Sequence, residues 1–138
     1  MIIVKPFKAE HALSIVTDTT EDFAKAMKFH ELGETALTVF WDNQIMVCGG
    51  VHVLAPRVGE IWTVPSPLVK KHYIAYHRFM LKWRDIFMKK YNLVRMQATV
   101  DVMNETAVKW IEALGFEREG RLRKCYGYGD FYLYSRVI

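Results

Sequence analysis

The chain has 138 residues, of which 51% are hydrophobic and 14% aromatic, and it carries a formal net charge of +4 at pH 7. This length and apolar content are sufficient for one packed domain spanning residues 1–138. No stretch has the about 20 apolar residues that a membrane-spanning helix needs, and the first residues are charged too early for a secretory signal. The mild positive charge permits an anionic cofactor or partner, and no nucleic-acid-binding signature is present.

Cysteine and motif content narrow the function classes further. The two cysteines, Cys48 and Cys125, do not form a disulfide framework, and Cys48 lies in an apolar run that predicts a buried thiol. A reducing, cytoplasmic location is therefore expected. The sequence shows no metal-ligand spacing, no nucleophile constellation and no nucleotide-binding P-loop, so we expect no bound metal.

The first half of the chain predicts a strand, two helices and three further strands. Their expected bounds are residues 2–6, 8–16, 19–33, 35–41, 45–54 and 58–64. The second helix begins with acidic residues in its first turn, and helical spacing directs Phe23, Met27 and Phe29 inward. The two strands after the helices form an antiparallel hairpin. Gly49 and Gly50 inside the second of them indicate a bulge or a close backbone approach.

The longest periodic segment, residues 68–91, predicts one long helix. Its apolar stripe is formed by Val69, Tyr73, Tyr76, Met80, Trp83 and Phe87. Such a stripe faces a protein core, so we expect all but its first two members to be buried. A helix that joins two strands implies that those strands run parallel. The strands at 58–64 and 94–102 are therefore predicted to be parallel neighbours.

Residues 94–116 contain the most informative pattern in the chain. Apolar and polar residues alternate over 94–102, which predicts a strand with one apolar and one polar face. Asn104 then stands at a helix N-cap, because its side chain can accept an amide proton of the first turn. The helix that follows ends at Gly115, since glycine enters the left-handed C-cap conformation with little strain. Phe116 begins the next strand.

This strand and the pattern of Asn104, Ala107, Gly115 and Phe116 resemble the fourth-helix signature of the GNAT superfamily of acyl-CoA-dependent N-acyltransferases. The family usually has a tyrosine where this chain has Ile111, so the chain departs from the pattern there. The order of the predicted elements is similar to the GNAT fold over nearly the whole chain. The resemblance implies an α/β fold, a single GNAT-like domain in which a mixed sheet is flanked by helices.

A weaker resemblance is to the GNAT-like internal virion proteins of tailed phages, in length, in the long aromatic third helix and in the glycine-poor entrance to that helix. The leading function that the GNAT resemblance implies is an N-acetyltransferase, which transfers an acyl group from acetyl-CoA to an amine. The phage resemblance implies the alternative, a non-catalytic GNAT-fold binding protein such as a virion or assembly protein. The sequence does not decide whether the amine acceptor is a small molecule or a protein. It also does not decide whether the protein forms a homodimer.

The resemblance also implies where acetyl-CoA, the acyl donor, would bind. The family's pyrophosphate site is a glycine-rich loop at the third-helix entrance, whereas residues 65–75 here contain no glycine. Positive charge for the pyrophosphate would come instead from the side chains of Lys70, Lys71 and His72. These residues lie in the predicted first turn of the helix, where cations are mildly unfavourable and therefore favour a phosphate role. The alternative is that this turn is simply exposed to solvent. The other expected cofactor-contacting residues are Asn104 and, through backbone groups, Trp62, Thr63 and Val64.

Glu60 is the expected general base, because many GNAT enzymes look similar in having a glutamate on the corresponding strand. Its alternative roles are to face solvent or to pair with Arg57. His52, on the neighbouring strand, is the second choice of base. Because the family's tyrosine acid is missing, Tyr126 or Tyr128 in the glycine-rich C-terminal loop is the candidate to donate a proton to the departing thiolate. The alternative is that the aromatic residues of this loop serve strand packing and loop shape.

Overall fold

The computed structural model describes residues 1–17, 19–33 and 35–138. The described residues form seven strands and five helices: β1 Ile2–Pro6, α1 Ala9–Ile15, α2 Glu21–Leu32, β2 Ala36–Trp41, β3 Gln44–Ala55, β4 Val58–Pro65, α3 Leu68–Lys71, α4 Tyr73–Lys90, β5 Arg95–Asp101, α5 Glu105–Ala113, β6 Glu117–Leu122 and β7 Phe131–Val137. The strands form one sheet in the order β1-β2-β3-β4-β5-β7-β6. No helix in the described part of the chain is both long and apolar enough to cross a membrane. The predicted fold class, an α/β mixed sheet flanked by helices, is confirmed.

The parallel neighbours predicted on either side of the long helical segment are β4 and β5. Three parallel pairs join them: Val58–Arg95, Gly59–Met96 and Glu60–Gln97. The pairs β1–β2, β2–β3, β5–β7 and β6–β7 are antiparallel. The prediction of a helix-linked parallel pair is therefore confirmed, and this pair makes the sheet mixed.

The chain forms two compact units. The first unit comprises Met1–His52 and Ile61–Tyr76, and the second comprises Val53–Glu60 and His77–Ile138. Buried side chains from the β1–α1 connection, the N-terminal helices, β2 and β3 form a core in the first unit, which consists of Phe7, Ala9, Ala12, Met27, Ala36 and Cys48. Burial raises the pKa of the Cys48 thiol to about 11. The prediction of a buried thiol is confirmed.

Helix α2 follows the prediction at its start but not at Phe29. The Thr20 hydroxyl accepts a hydrogen bond from the amide of Phe23 at 3.1 Å and so caps the helix. Met27 is buried, whereas Phe29 is 65% exposed. Two residues along a helix correspond to a rotation of about 200°, so Phe29 faces away from Met27. The prediction that Phe29 points inward was wrong.

Gly49 and Gly50 lie where neighbouring strands approach β3 closely. A β-carbon on Gly49 would lie 2.7 Å from the carbonyl oxygen of Trp62 on β4. A β-carbon on Gly50 would lie 2.8 Å from the Cα atom of Ala36 on β2. Both distances are too short for a real side chain, so the close backbone approach is confirmed. The irregularity in the β2–β3 register lies elsewhere, nearer the hairpin turn.

The helix predicted over residues 68–91 is interrupted at His72 and forms α3 and α4 instead. The His72 backbone leaves the helical region, with φ −120° and ψ 45°. Its ring stacks on Trp41 at a centroid distance of 4.2 Å. The prediction of one continuous helix was wrong, because this contact joins residues far apart in sequence and local periodicity does not register it.

The apolar stripe of the long segment is only partly buried. Tyr76 is buried, whereas Met80, Trp83 and Phe87 are half-buried. The ring of Trp83 contacts those of Phe79 and Phe87 at centroid distances of 5.7 and 5.1 Å. Rings three or four residues apart pack along the helix surface and leave an edge in solvent. The prediction of burial is confirmed for Tyr76 and was wrong for the other three.

The second unit contains the predicted strand–helix pattern. The inward row of β5 is buried and consists of Met96, Ala98 and Val100. The Asn104 side-chain oxygen accepts a hydrogen bond from the amide of Ala107 at 3.1 Å, which makes it the N-cap of α5. Gly115 follows the helix with a φ of 85°, in the left-handed region. The predicted cap and stop are both confirmed.

Candidate active site

The polar face of β5 contacts two of the predicted catalytic residues. Gln97 Nε2 donates a hydrogen bond to Glu60 Oε1 at 3.3 Å, and the hydroxyls of Thr99 and Tyr126 lie 2.9 Å apart. Gln97 and Thr99 are two residues apart on one strand, so their side chains share a face at a spacing of about 7 Å. Glu60 and Tyr126, both in the second unit, are thus bonded to adjacent positions of one polar row.

The orientation of the Gln97 amide follows from its neighbours. Its Oε1 accepts a hydrogen bond from Arg95 Nε at 3.0 Å. A guanidinium group has only donors, so the amide oxygen must face Arg95 and the amide nitrogen must face Glu60. Glu60 and Gln97 are also a register pair of β4 and β5. The hydrogen bond of Glu60 therefore joins it to β5, and Arg57, its alternative partner, is exposed.

Arg95 is itself held by Glu119 on β6. Its Nη1 and Nη2 atoms lie 3.0 and 2.6 Å from the two carboxylate oxygens of Glu119, which is the two-pronged geometry of strong arginine–carboxylate pairs. Hydrogen bonds from Arg95 and Ser135 lower the pKa of Glu119 to about 2. The hydrogen bond between Arg95 and Glu119 also raises the pKa of the Arg95 guanidinium group. Both groups are therefore charged at neutral pH.

The loop between β6 and β7 presents Tyr126 rather than Tyr128 to β5. The Tyr126 hydroxyl bonds to Thr99, and its ring packs edge-on against Phe131 at a centroid distance of 4.7 Å. Tyr128 also packs edge-on against Phe131, at 6.0 Å, but it is 75% exposed. The sequence could not separate the two tyrosines, and the hydrogen bond to Thr99 favours Tyr126 as the proton donor.

A histidine pair in the first unit was missed by the sequence analysis. His52 Nε2 and His30 Nδ1 lie 2.6 Å apart, so a single hydrogen atom must bridge the rings. The face of the His30 ring stacks on Trp62 at a centroid distance of 3.9 Å. Burial and the nearby His52 lower the pKa of His30 to about 4. The sequence named His52 as the second choice of base, but no local spacing links it to His30, which comes from α2.

The three positions of β4 that are predicted to contact pantetheine also lie in the first unit. The side chains of Trp62 and Val64 pack against the core of this unit, and the Trp62 carbonyl oxygen faces Gly49. The Thr63 side chain lies beside Gly49 as well. Side chains at these positions therefore serve packing, and contact with a cofactor stays a prediction about their backbone groups.

The start of α3 is closed by hydrogen bonds within the chain. The amide of Leu68 donates to the Ser66 hydroxyl at 3.3 Å. The amides of Val69 and Lys70 donate to the carbonyl oxygens of Ser66 and Pro67, each at 3.2 Å. A pyrophosphate bound at a helix start needs such amide groups as donors. The structure therefore does not provide the family's usual pyrophosphate geometry at α3.

Lys70 and Lys71 lie in the last turn of the short helix α3, not in the first turn of a long one. A helix of four residues is a single turn with little summed dipole, so the dipole argument for a phosphate does not apply, and the phosphate role of the two lysines stays a prediction. Both lysines are exposed and can attract an anion as point charges. His72 is half-buried against Trp41.

The position of the family's tyrosine is part of the core in this chain. Ile111 is 2% exposed, and an apolar side chain is the better residue for a site without water. The Asn104 side-chain oxygen is used in capping α5, so a cofactor contact by Asn104 stays a prediction about its remaining groups. A proton donor for the departing thiolate therefore cannot be residue 111. Tyr126 is the candidate that has a hydrogen bond to the polar face of β5.

The element order, the mixed seven-stranded sheet and the helix-linked parallel pair together define the GNAT fold, and the chain has this fold. It is similar to a GNAT-family acetyltransferase from Bacillus anthracis, with 19% sequence identity and a TM-score of 0.75 over 99% of this chain and 94% of that one. A ribosomal-protein-S5-alanine acetyltransferase from Vibrio fischeri is 20% identical, with a TM-score of 0.72 over 99% and 92%. A spermidine N-acetyltransferase chimera from Vibrio cholerae and hSSAT is 16% identical, with a TM-score of 0.76 over 99% and 95%.

No protein-family model and no curated protein matches the sequence. At the identities of these solved structures the similarity establishes the fold, and fold alone does not fix function.

Proposed function

We propose that the protein is an acyl-CoA-dependent N-acyltransferase that transfers an acetyl group from acetyl-CoA to an amine. The observation that carries this proposal is that Glu60 and Tyr126 are hydrogen-bonded to Gln97 and Thr99, which are neighbours on the polar face of β5. A carboxylate and a phenol that are both bonded to one strand face can serve as base and acid. Two structural neighbours are named for acetyl transfer to spermidine and to a ribosomal-protein alanine, and these acceptors support an amine as the acceptor here.

The proposed chemistry assigns one proton transfer to each residue, and acetyl-CoA supplies the thioester. Glu60 takes a proton from the acceptor ammonium group, which leaves a neutral amine that can attack the thioester carbonyl carbon. A C–N bond forms, the C–S bond breaks, and the nitrogen loses its surplus proton to solvent. Tyr126 gives its hydroxyl proton to the departing thiolate sulfur. Exchange with solvent then deprotonates Glu60 and reprotonates Tyr126.

Charge for the CoA phosphates is proposed to come from Lys70 and Lys71. The neighbouring amides at the start of α3 are engaged by Ser66 and Pro67, so side-chain charge has to replace the usual amide donors. Exposed ammonium groups supply such charge without fixed geometry. Binding of this kind is weaker and more sensitive to salt than a loop of amides.

Replacement of Glu60 by glutamine tests the proposal most directly. General base catalysis is worth about 100- to 10,000-fold, so Glu60→Gln should lower turnover by at least about tenfold, with little change in acetyl-CoA affinity. The loss should shrink at high pH, where the amine is already neutral. Release of CoA thiol, measured with spermidine and with an alanine-starting peptide as acceptors, gives the rate.

Glu10→Gln, an exposed acid on α1, is the matched control and should leave the rate unchanged. An active enzyme that is indifferent to Glu60→Gln at neutral pH would remove Glu60 as the base. His30 and His52 would then be the next residues to replace.

A non-catalytic GNAT-fold binding protein, such as a virion or assembly protein, is the second candidate. The closed start of α3 and the buried Ile111 favour it, because both remove groups that the catalytic family uses. Calorimetry with millimolar acetyl-CoA separates the two functions. Absence of both heat and thermal stabilisation would support the non-catalytic protein and overturn the acetyltransferase.

A further inference from the structure

We propose that Gln97 is a positioning residue for Glu60, and that the ion pair of Glu119 with Arg95 locks the Gln97 amide in the required orientation. This inference rests on the proposed function, in which Glu60 is the general base. Its basis is an unbroken series of contacts from β6 through β5 to β4 within the second unit. The contacts are those of Glu119 with Arg95, of Arg95 with Gln97 and of Gln97 with Glu60.

Each contact in this series limits the freedom of the next side chain. Glu119 engages Nη1 and Nη2 of Arg95 at 3.0 and 2.6 Å, which fixes the plane of the guanidinium group. The Nε–H group of Arg95 donates its hydrogen bond to the side-chain oxygen of Gln97, at 3.0 Å. A rotated amide would place its NH₂ group against the guanidinium donors, so only one of the two amide orientations is favourable.

The far end of the series is anchored in β7. Glu119 also accepts a hydrogen bond from Ser135, which is buried. With its pKa lowered to about 2, the Glu119 carboxyl group stays ionised at any pH used to assay an acetyltransferase. The orientation of Gln97 is therefore constant across the pH range in which Glu60 has to act.

The consequence for Glu60 is a restricted carboxylate orientation. The amide of Gln97 occupies Oε1, which leaves Oε2 for the proton of the acceptor. A base has to lie in line with the proton that it removes, and a displacement of 1 Å can lower a rate by about 100-fold. Without Gln97 the half-buried Glu60 side chain would distribute among several rotamers.

Gln97→Met tests positioning, because methionine keeps the length of the side chain and removes both hydrogen bonds. We expect kcat/KM for the amine to fall by about 10- to 100-fold, while KM for acetyl-CoA stays unchanged. Glu119→Gln should give a smaller loss in the same direction, since it weakens the hold on Arg95. Glu117→Gln, the same exchange at an exposed position of the same strand, is the control and should match wild type.

Gln97→Glu supplies a readout that a merely structural role would not move. It places a second carboxylate beside Glu60, and like charges favour protonation of one of them. The acid limb of the pH–rate profile should therefore move to higher pH by about one unit. Gln97→Met should lower the rate without moving this limb by as much.

The outcomes separate this inference from the function on which it rests. Absence of acetyl-CoA-dependent turnover in the wild type would overturn the proposed function and the inference with it. Wild-type turnover with Gln97→Met within twofold of wild type would overturn the inference alone. If Gln97→Met does not fold, an unshifted acid limb in Gln97→Glu, together with wild-type rates in Glu119→Gln, would overturn it equally.

Discussion

Replacing Gly49 by alanine should destabilise the protein by about 2–3 kcal/mol. The added methyl carbon would lie 2.7 Å from the carbonyl oxygen of Trp62 and 3.2 Å from Cγ2 of Thr63. Because the carbonyl belongs to the backbone of β4, it cannot rotate away as a side chain would, and the two strands must separate locally. Overpacking costs about 1–3 kcal/mol, and a backbone neighbour places Gly49 at the upper end of that range.

Thermal unfolding followed by circular dichroism measures the effect. An unfolding entropy of about 2.1 cal/mol/K per residue gives about 0.29 kcal/mol/K for 138 residues, so a loss of 2 kcal/mol lowers Tm by about 7 °C. Gly120→Ala on β6 is the matched control, because a β-carbon there meets no described atom within 4 Å. That variant should be neutral or gain up to about 1 kcal/mol. Equal changes in Tm for both variants would refute the close-approach reasoning.

Three further predictions concern charge, pH and packing. Lys70→Ala combined with Lys71→Ala should weaken acetyl-CoA binding in calorimetry, and added salt should weaken the wild type more than the variant. Folding stability should fall as the pH drops from 6.5 to about 4, because unfolded His30 takes up a proton that folded His30 does not. His30→Gln should flatten this part of a plot of denaturation free energy against pH, and an unchanged slope would contradict the lowered pKa. Trp83→Ala should cost about 2 kcal/mol in urea denaturation, because the side chain is half-buried, and a loss of 5 kcal/mol would contradict that exposure.

Features that depend on a few neighbouring residues were predicted well from the sequence. The cap formed by Asn104 needs only the residue itself and an amide three positions later. The stop at Gly115 likewise depends on one backbone conformation. Phe29 was predicted wrongly although its helix was predicted correctly, because the sequence shows an apolar residue without showing which direction the core takes.

Features that depend on pairing between distant residues could not be predicted in the same way. The alternation of residues predicted a polar face on β5, but the parallel register decides that Gln97 rather than Thr99 meets Glu60. The contact of His72 with Trp41, at the point where the long helix is interrupted, is equally non-local. The candidate residues Glu60 and Tyr126 were thus named from the sequence, whereas the residues that hold them were not.

The hydrogen atom shared by His30 and His52 has a consequence for the local unfolding of α2. Two fully protonated rings would direct N–H groups at each other, so acid breaks this link between the end of α2 and β3. Phe29 and Leu32 in the same region are exposed, so without the link the last turn depends on contacts such as the stacking of His30 on Trp62. After correction for the slower intrinsic exchange in acid, the protection of amides in this turn should therefore fall at acidic pH before protection in the other described parts of the first unit does. The C-terminal turn of α2 is therefore expected to open before the other described parts of this unit.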